Sequence, residues 1–198
     1  MILIPESLKS IEFISTIIVG IISLGYTIKK KLKSKKIEIW TKVFKGSTEI
    51  DELLNEFSKD YDGVDMISLM VCENGGGIPS PTSRLQTSII SDGQVRGMNS
   101  YKENWQKVRA DYHYKGMLKE CFLNGYYLVT NTQDLNNSTV KDAALSIGVK
   151  SFRLEHLLTT KKAWYYIVLS STTMIVPYDA NTNDSLRILK QNLKKIIK

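Results

Sequence analysis

The sequence predicts a small mixed α/β domain placed behind one N-terminal transmembrane helix. Three observations carry this expectation. Residues 13–28, FISTIIVGIISLGYTI, hold no charge and are followed at once by lysines. Short apolar runs rich in branched and aromatic residues read as strands, among them VDMISLMV, which runs into a glycine- and proline-rich stretch, and AWYYIVL, which follows Thr159-Thr160-Lys161-Lys162. Apolar residues also return at helical spacing at Leu53, Leu54 and Phe57, and again at Leu186, Leu189 and Leu193.

A chain of 198 residues suits one domain of ordinary size plus an anchor. With 42% hydrophobic and 24% charged residues it has the composition of a folded protein. The net charge of +7 is unevenly placed: residues 1–28 carry −1, the six lysines between Lys29 and Lys36 carry +6, and the remainder carries +2. The globular part is therefore nearly neutral. That argues against a nucleic-acid partner, which needs exposed aromatics beside basic groups.

The charge-free run is short against the roughly 20 residues that cross about 30 Å of hydrocarbon, a deficit that local thinning or lysine snorkelling covers. Its alternatives are an interfacial helix, a buried helix and a cleaved signal. The last fits poorly, because the positive run follows the apolar segment instead of preceding it. The expected organisation is a flank over 1–10, a transmembrane helix over 11–28, a lysine-rich juxtamembrane segment over 29–36, an amphipathic helical connector over 37–62 and a domain over 63–198. The lysine excess predicts a single-pass protein, N-out with the C-terminal domain cytoplasmic, and makes membrane lipids its first partners.

Beyond Lys36, Ile37, Trp40, Val43 and Phe44 recur at helical spacing, and Gly46 is expected to interrupt them. Thr48 with Asp51 resembles a capping pair for a second helix. Val64–Val71 reads as a buried strand that runs into ENGGGIPSPTS, an abrupt loop. Arg84–Ile90 is a second strand candidate, and 97–111 is a packed excursion built around Tyr101, Trp105 and Val108. A helix over Tyr114–Phe122 should turn Met117, Leu118 and Cys121 inward, with Asn124-Gly125 as its stop and Tyr126–Thr130 as the next strand. Ser138 should cap a helix that ends at Gly148, with Lys141 and Asp142 facing water. Val149–Leu158 and Ala163–Leu169 fit a hairpin, Met174–Val176 a short edge strand, and Asp184–Ile197 a closing amphipathic helix.

No catalytic or metal centre assembles from these residues. Cys72 and Cys121 have neither CxxC spacing nor a cysteine-dense frame, and both are expected to be reduced. His113 and His156 do not make the helical HExxH pair of a zinc protease. Gly75, Gly76 and Gly77 match neither a P-loop nor GxGxxG, and serve as a sharp turn or as a binding loop. Glu73 and Asn74 at a strand end, those three glycines and Arg84, an anion-neutralising side chain, form the candidate ligand site. No cofactor is implied.

The element order, and above all NSTVKDAALSIGVKSFRLEHLL followed by KKAWYYIVL, resembles the GAF/PAS-like family of sensor domains over roughly 37–198. That resemblance implies a mainly antiparallel central sheet with flanking helices, a ligand cavity, and a signalling or dimerising role. The expectation is thus a nonenzymatic, membrane-tethered regulatory or scaffold module that senses a small ligand or binds a second copy or another protein. The alternatives are a phage- or virus-encoded membrane assembly or lysis component and a small hydrolase.

Overall fold

In the computed structural model of the chain the described residues are 38, 41, 43, 45–61, 63–74, 84–94, 102, 105–161, 163–173, 175–177 and 179–197. They fall into two compact units, 1–45 and 46–198. In the first, residues 38, 41, 43 and 45 are helical. The second contains every element that follows.

Residues 46–60 are helical (α1). Strands β1 (Met66–Glu73), β2 (Gln86–Gln94) and β3 (Val108–Arg109) come next, then α2 (Tyr112–Asn124), β4 (Tyr126–Val129), a 3-10 turn at Thr132–Asp134, α3 (Thr139–Ser146), β5 (Ser151–Thr159), β6 (Ala163–Ser171) and α4 (Ala180–Ile197). The strands form one sheet in the order β3-β2-β1-β6-β5-β4, with every pairing antiparallel. Local chemistry sets the breaks. Asp111 caps α2 by accepting from the Tyr114 amide, and Gly125 closes it at φ 85°, a left-handed conformation that suits glycine. Ser138 caps α3 by accepting from the Lys141 amide.

Period-two alternation gives the sheet two apolar faces. On one, Met70, Cys72, Ile89, Phe152, Leu154 and Tyr166 meet Tyr114, Met117, Leu118 and Cys121 of α2 and Ala144 of α3. On the other, Ile67, Leu69, Leu157, Ile167 and Leu169 meet Ile50, Leu54 and Phe57 of α1 and Leu186, Leu189 and Leu193 of α4. Each fully buried leucine of α4 contributes about 1.5–3 kcal/mol to holding that helix on the sheet. A bulge between Leu69 and Met70 in the β1–β2 pairing lets β2 present Thr87 and Ile89 to the first face and Gly93 to the second. A Cβ on Gly93 would lie 2.6 Å from the backbone of Leu54, so this glycine sets how closely α1 approaches.

The membrane expectation is corrected. Among the described residues no helix is long and apolar enough to cross a membrane. The segment that carried the expectation, 11–28, lies outside the described residues, as do 1–10 and 29–37. The long described helix α4 is amphipathic, with its leucines buried on the sheet and Arg187 and Gln191 exposed. The N-terminal transmembrane helix, the N-out single-pass placement with a cytoplasmic C-terminal domain, the lipid partners and the membrane-tethered, lysis or membrane-assembly functions built on that segment are therefore withdrawn.

Smaller corrections follow from packing. Gly46 is helical and does not interrupt; a Cβ there would meet Ile196 Cγ2 at 3.3 Å. Thr48 and Asp51 both lie inside α1, and the Asp51 carboxylate instead accepts from the Ser91 hydroxyl of β2. Lys141 donates to the carbonyls of Gln133 and Leu135 at 2.8 and 2.6 Å, tying α3 to the preceding turn. No strand forms at Ile175 and Val176; Val176 is buried and its amide donates to Ser151 Oγ at 2.9 Å.

Candidate functional site

Along β1, Met66, Ser68 and Met70 point toward α2 and α3. Facing them across the sheet are Ile89, Leu154 and Val168, and above them sit Val140, Ala143 and Ala144 of α3. These side chains line a partly open cavity of about 80 Å³. Its lining is apolar apart from Ser68, Ser170 and the polar groups of Trp105 and Tyr114. Ser68 is 2% exposed, and its hydroxyl has no hydrogen-bond partner among the described residues. A buried hydroxyl left unpaired costs about 1–3 kcal/mol, and the void beside it forfeits dispersion contacts as well.

One side of the cavity is closed by a polar layer inside an apolar core. The Tyr114 and Tyr166 hydroxyls share a hydrogen bond of 2.5 Å, and Trp105 Nε1 donates to Thr87 Oγ1 at 3.0 Å. Burial pushes both phenols well above their ordinary range, so they stay neutral. Asp111 fixes the helices over the cavity. One of its oxygens accepts from the Tyr114 amide at 2.8 Å, and the other accepts from the Thr139 amide at 2.6 Å and the Thr139 hydroxyl at 3.0 Å. Desolvation raises this carboxyl, but the hydrogen bonds from Tyr114 and Thr139 outweigh it, and the net shift is downward.

An outer groove of about 360 Å³ lies at the far end of β1, between α2 and the β5–β6 hairpin. Cys72, Glu73 and Asn74 line it together with Lys115, Lys119 and Phe122 of α2 and Thr159, Thr160 and Trp164 of the hairpin. Phe122 and His156 both pack edge-on or tilted against Trp164, which stacks on Tyr166 with ring centroids 5.0 Å apart.

The sequence-based candidates divide accordingly. Glu73 and Asn74 stand together at the outer groove, and neither lines the inner cavity. Arg84 is exposed ahead of β2 and lines neither, whereas its neighbour Leu85 reaches the groove. Gly75, Gly76 and Gly77 lie outside the described residues. Sequence reasoning missed Ser68, although a signal existed: a lone hydroxyl between two methionines at inward-facing positions of a buried strand.

Chemistry at the other singled-out groups is quiet. Cys72 and Cys121 are free thiols, 5% and 0% exposed. Burial, followed by nearby Glu73, pushes Cys72 up to about 11, and burial with Glu155 pushes Cys121 up to about 12. Neither is a thiolate at neutral pH, so neither is an activated nucleophile. His113 is exposed beside Tyr112, and His156 Nε2 shares a hydrogen bond with Thr159 Oγ1 at 3.0 Å. Among the described residues no group of three or more histidine, cysteine, aspartate or glutamate side chains could hold a metal ion.

No protein-family model matches the chain, and no curated protein matches it. Solved structures do. The GAF domain region of a Geobacter sulfurreducens protein superposes with a TM-score of 0.54 at 16% identity, covering 81% of this chain and 97% of that one. The blue-light absorbing form of the Thermosynechococcus elongatus PixJ GAF domain gives 0.55 at 8% identity, covering 79% and 89%. A type II free methionine-R-sulfoxide reductase from Thermoplasma acidophilum gives 0.53 at 8% identity, covering 79% and 94%. At these identities the likeness establishes the fold, which is GAF-like.

Proposed function

We propose that this chain is a nonenzymatic regulatory module whose GAF-like domain senses a small, mostly apolar ligand bearing one hydrogen-bonding group. The observation that carries the reading is the pairing of an apolar cavity with the partnerless Ser68 hydroxyl inside it. A ligand that filled the void and bonded to that hydroxyl would recover both costs at once, whereas a purely structural core would have been cheaper with an aliphatic side chain at this position.

The roles named for the similar folds do not transfer. A cavity of about 80 Å³ is smaller than the roughly 150 Å³ void that accepts benzene, so an extended chromophore has no room there. Reductase chemistry would need a reactive thiol, and both thiols are buried and protonated. A single-ring ligand fits once Met66 and Met70 adjust, which their unbranched side chains permit. Glu73 and Asn74, in the outer groove, are the second candidate contact set for a ligand.

The test is a thermal-shift comparison of phenol with benzene on the purified chain. Phenol is expected to raise the melting temperature in a saturable way and more than benzene does, and Ser68→Ala is expected to erase that difference. Ala144→Phe, which fills the cavity, is expected to abolish the response to both. Equal responses in wild type and Ala144→Phe would refute a binding role for the cavity.

A further inference from the structure

The sheet ends on two edge strands, β3 and β4, and they are built differently. β3 is two residues long and is flanked by charge, with Lys107 before it and Arg109 within it. Brevity and positive charge are two of the devices that keep an edge from pairing with another chain. β4 has neither charge nor proline to guard it: from Cys121 to Gln133 the sequence contains no charged residue and no proline. Large apolar side chains are also exposed where β4 begins. Leu123 is 62% exposed, and Tyr126, whose ring Arg153 overlies at 5.5 Å, is 37% exposed. Among the described residues β5 is the only strand that pairs with β4.

Backbone direction decides what this edge can take. The Gly125 carbonyl accepts from the His156 amide of β5 at 2.8 Å. In an antiparallel ladder alternate residues turn their polar backbone groups to opposite sides, so Tyr127 and Val129 face β5 as Gly125 does. Leu128 therefore presents its N–H and its C=O to the outer side. One donor and one acceptor on the same residue are self-complementary under a two-fold axis, because each copy donates one bond and accepts one.

The neighbouring residues suit the same arrangement. With the axis at Leu128, Tyr127 of one copy stands opposite Val129 of the other, and Tyr126 opposite Thr130. Both are aromatic residues set against β-branched ones, a pairing that stabilises antiparallel sheets. A charged segment from another protein would find no counter-charge along this edge, whereas a second copy brings no like charge to it.

We infer that the β4 edge is a homodimer interface, in which two copies of this chain pair antiparallel about Leu128 and join their sheets into one. The inference is independent of the small-ligand cavity. It bears on that cavity structurally, because α2, which roofs it, runs directly into β4 through Gly125.

Sedimentation velocity of the full chain over a concentration series, with amide hydrogen exchange at each concentration, tests this. A monomer–dimer equilibrium is expected, with protection of the Leu128 amide rising with concentration while the amides of β3 do not change. Leu128→Lys sets like charges directly opposite each other and is expected to weaken dimerisation at least about tenfold. Leu128→Pro removes the outward donor without removing a bond to β5 and is expected to do the same. Melting temperatures of the variants check that they fold, and where a variant does not, exchange in the wild type decides. The inference would be overturned by a chain that stays monomeric throughout, whether or not its β4 edge captures an extended peptide. A dimer whose Leu128 amide exchanges as in the monomer, or folded variants that dimerise with unchanged affinity, would overturn it equally.

Discussion

Asp111 shows how one side chain can organise a site without taking part in chemistry. Its two oxygens serve the first turns of α2 and α3, the helices that roof the cavity. Asp111→Ala is expected to cost about 2 kcal/mol, two caps at roughly 1 kcal/mol each, measurable by chemical denaturation at neutral pH. Because the folded carboxyl lies below its unfolded value of 3.8, this contribution is present above that pH and is lost as pH falls through the folded value. The gap between wild type and variant should therefore close on acidification below 3.8. A gap that stayed constant to low pH would mean the loss is packing and not capping. Sequence spacing brought out the Ser138 cap but not Asp111's second bond to Thr139, because 28 residues separate those partners and only the tertiary fold brings them together.

At the scale of elements, legibility followed local periodicity. Helices α2 and α4 were readable because their apolar residues repeat at intervals of three and four, and strands β1, β5 and β6 because they are short apolar runs rich in branched and aromatic residues. The edge strand expected at Met174–Val176 failed because burial of Val176 comes from a hydrogen bond to Ser151 and contact with the α1–α4 face, which mimics a strand's composition without its pairing. Gly46 misled for a related reason: a glycine can end a helix or let two helices approach, and only the position of Ile196 decides. Two further glycines give a paired prediction. Gly93→Ala forces a Cβ against the Leu54 backbone and is expected to destabilise by about 1–3 kcal/mol. Gly116→Ala, on the exposed side of α2 with nothing within 4 Å, is expected to stabilise by about 1 kcal/mol. Thermal melts of the two variants should move in opposite directions; melts that move together would show that α1 does not rest on β2 as described.

Across the whole domain, a six-stranded sheet separates two different environments. The α2–α3 face holds an apolar cavity with a neutral polar layer of tyrosines, tryptophan and threonine, and the α1–α4 face holds a leucine-rich seam edged by the buried Arg153–Glu155 pair, which the partly exposed Lys190 joins. Apolar patterning in the sequence brought out the sheet and its helices; of the residues expected to form a ligand site, Glu73 and Asn74 line the outer groove and Arg84 does not. The sequence did not disclose the cavity, because a void is a property of how α3 seats over β1 and no residue type announces it. Whether this void receives a ligand is read directly by ¹³C-methyl NMR of the methionine, alanine and valine side chains during a phenol titration. Saturable shifts are expected at Met66, Met70, Val140 and Ala144, with Val64 and Val176 on the far face unmoved. Shifts confined to exposed methyls, or none that saturate, would contradict it.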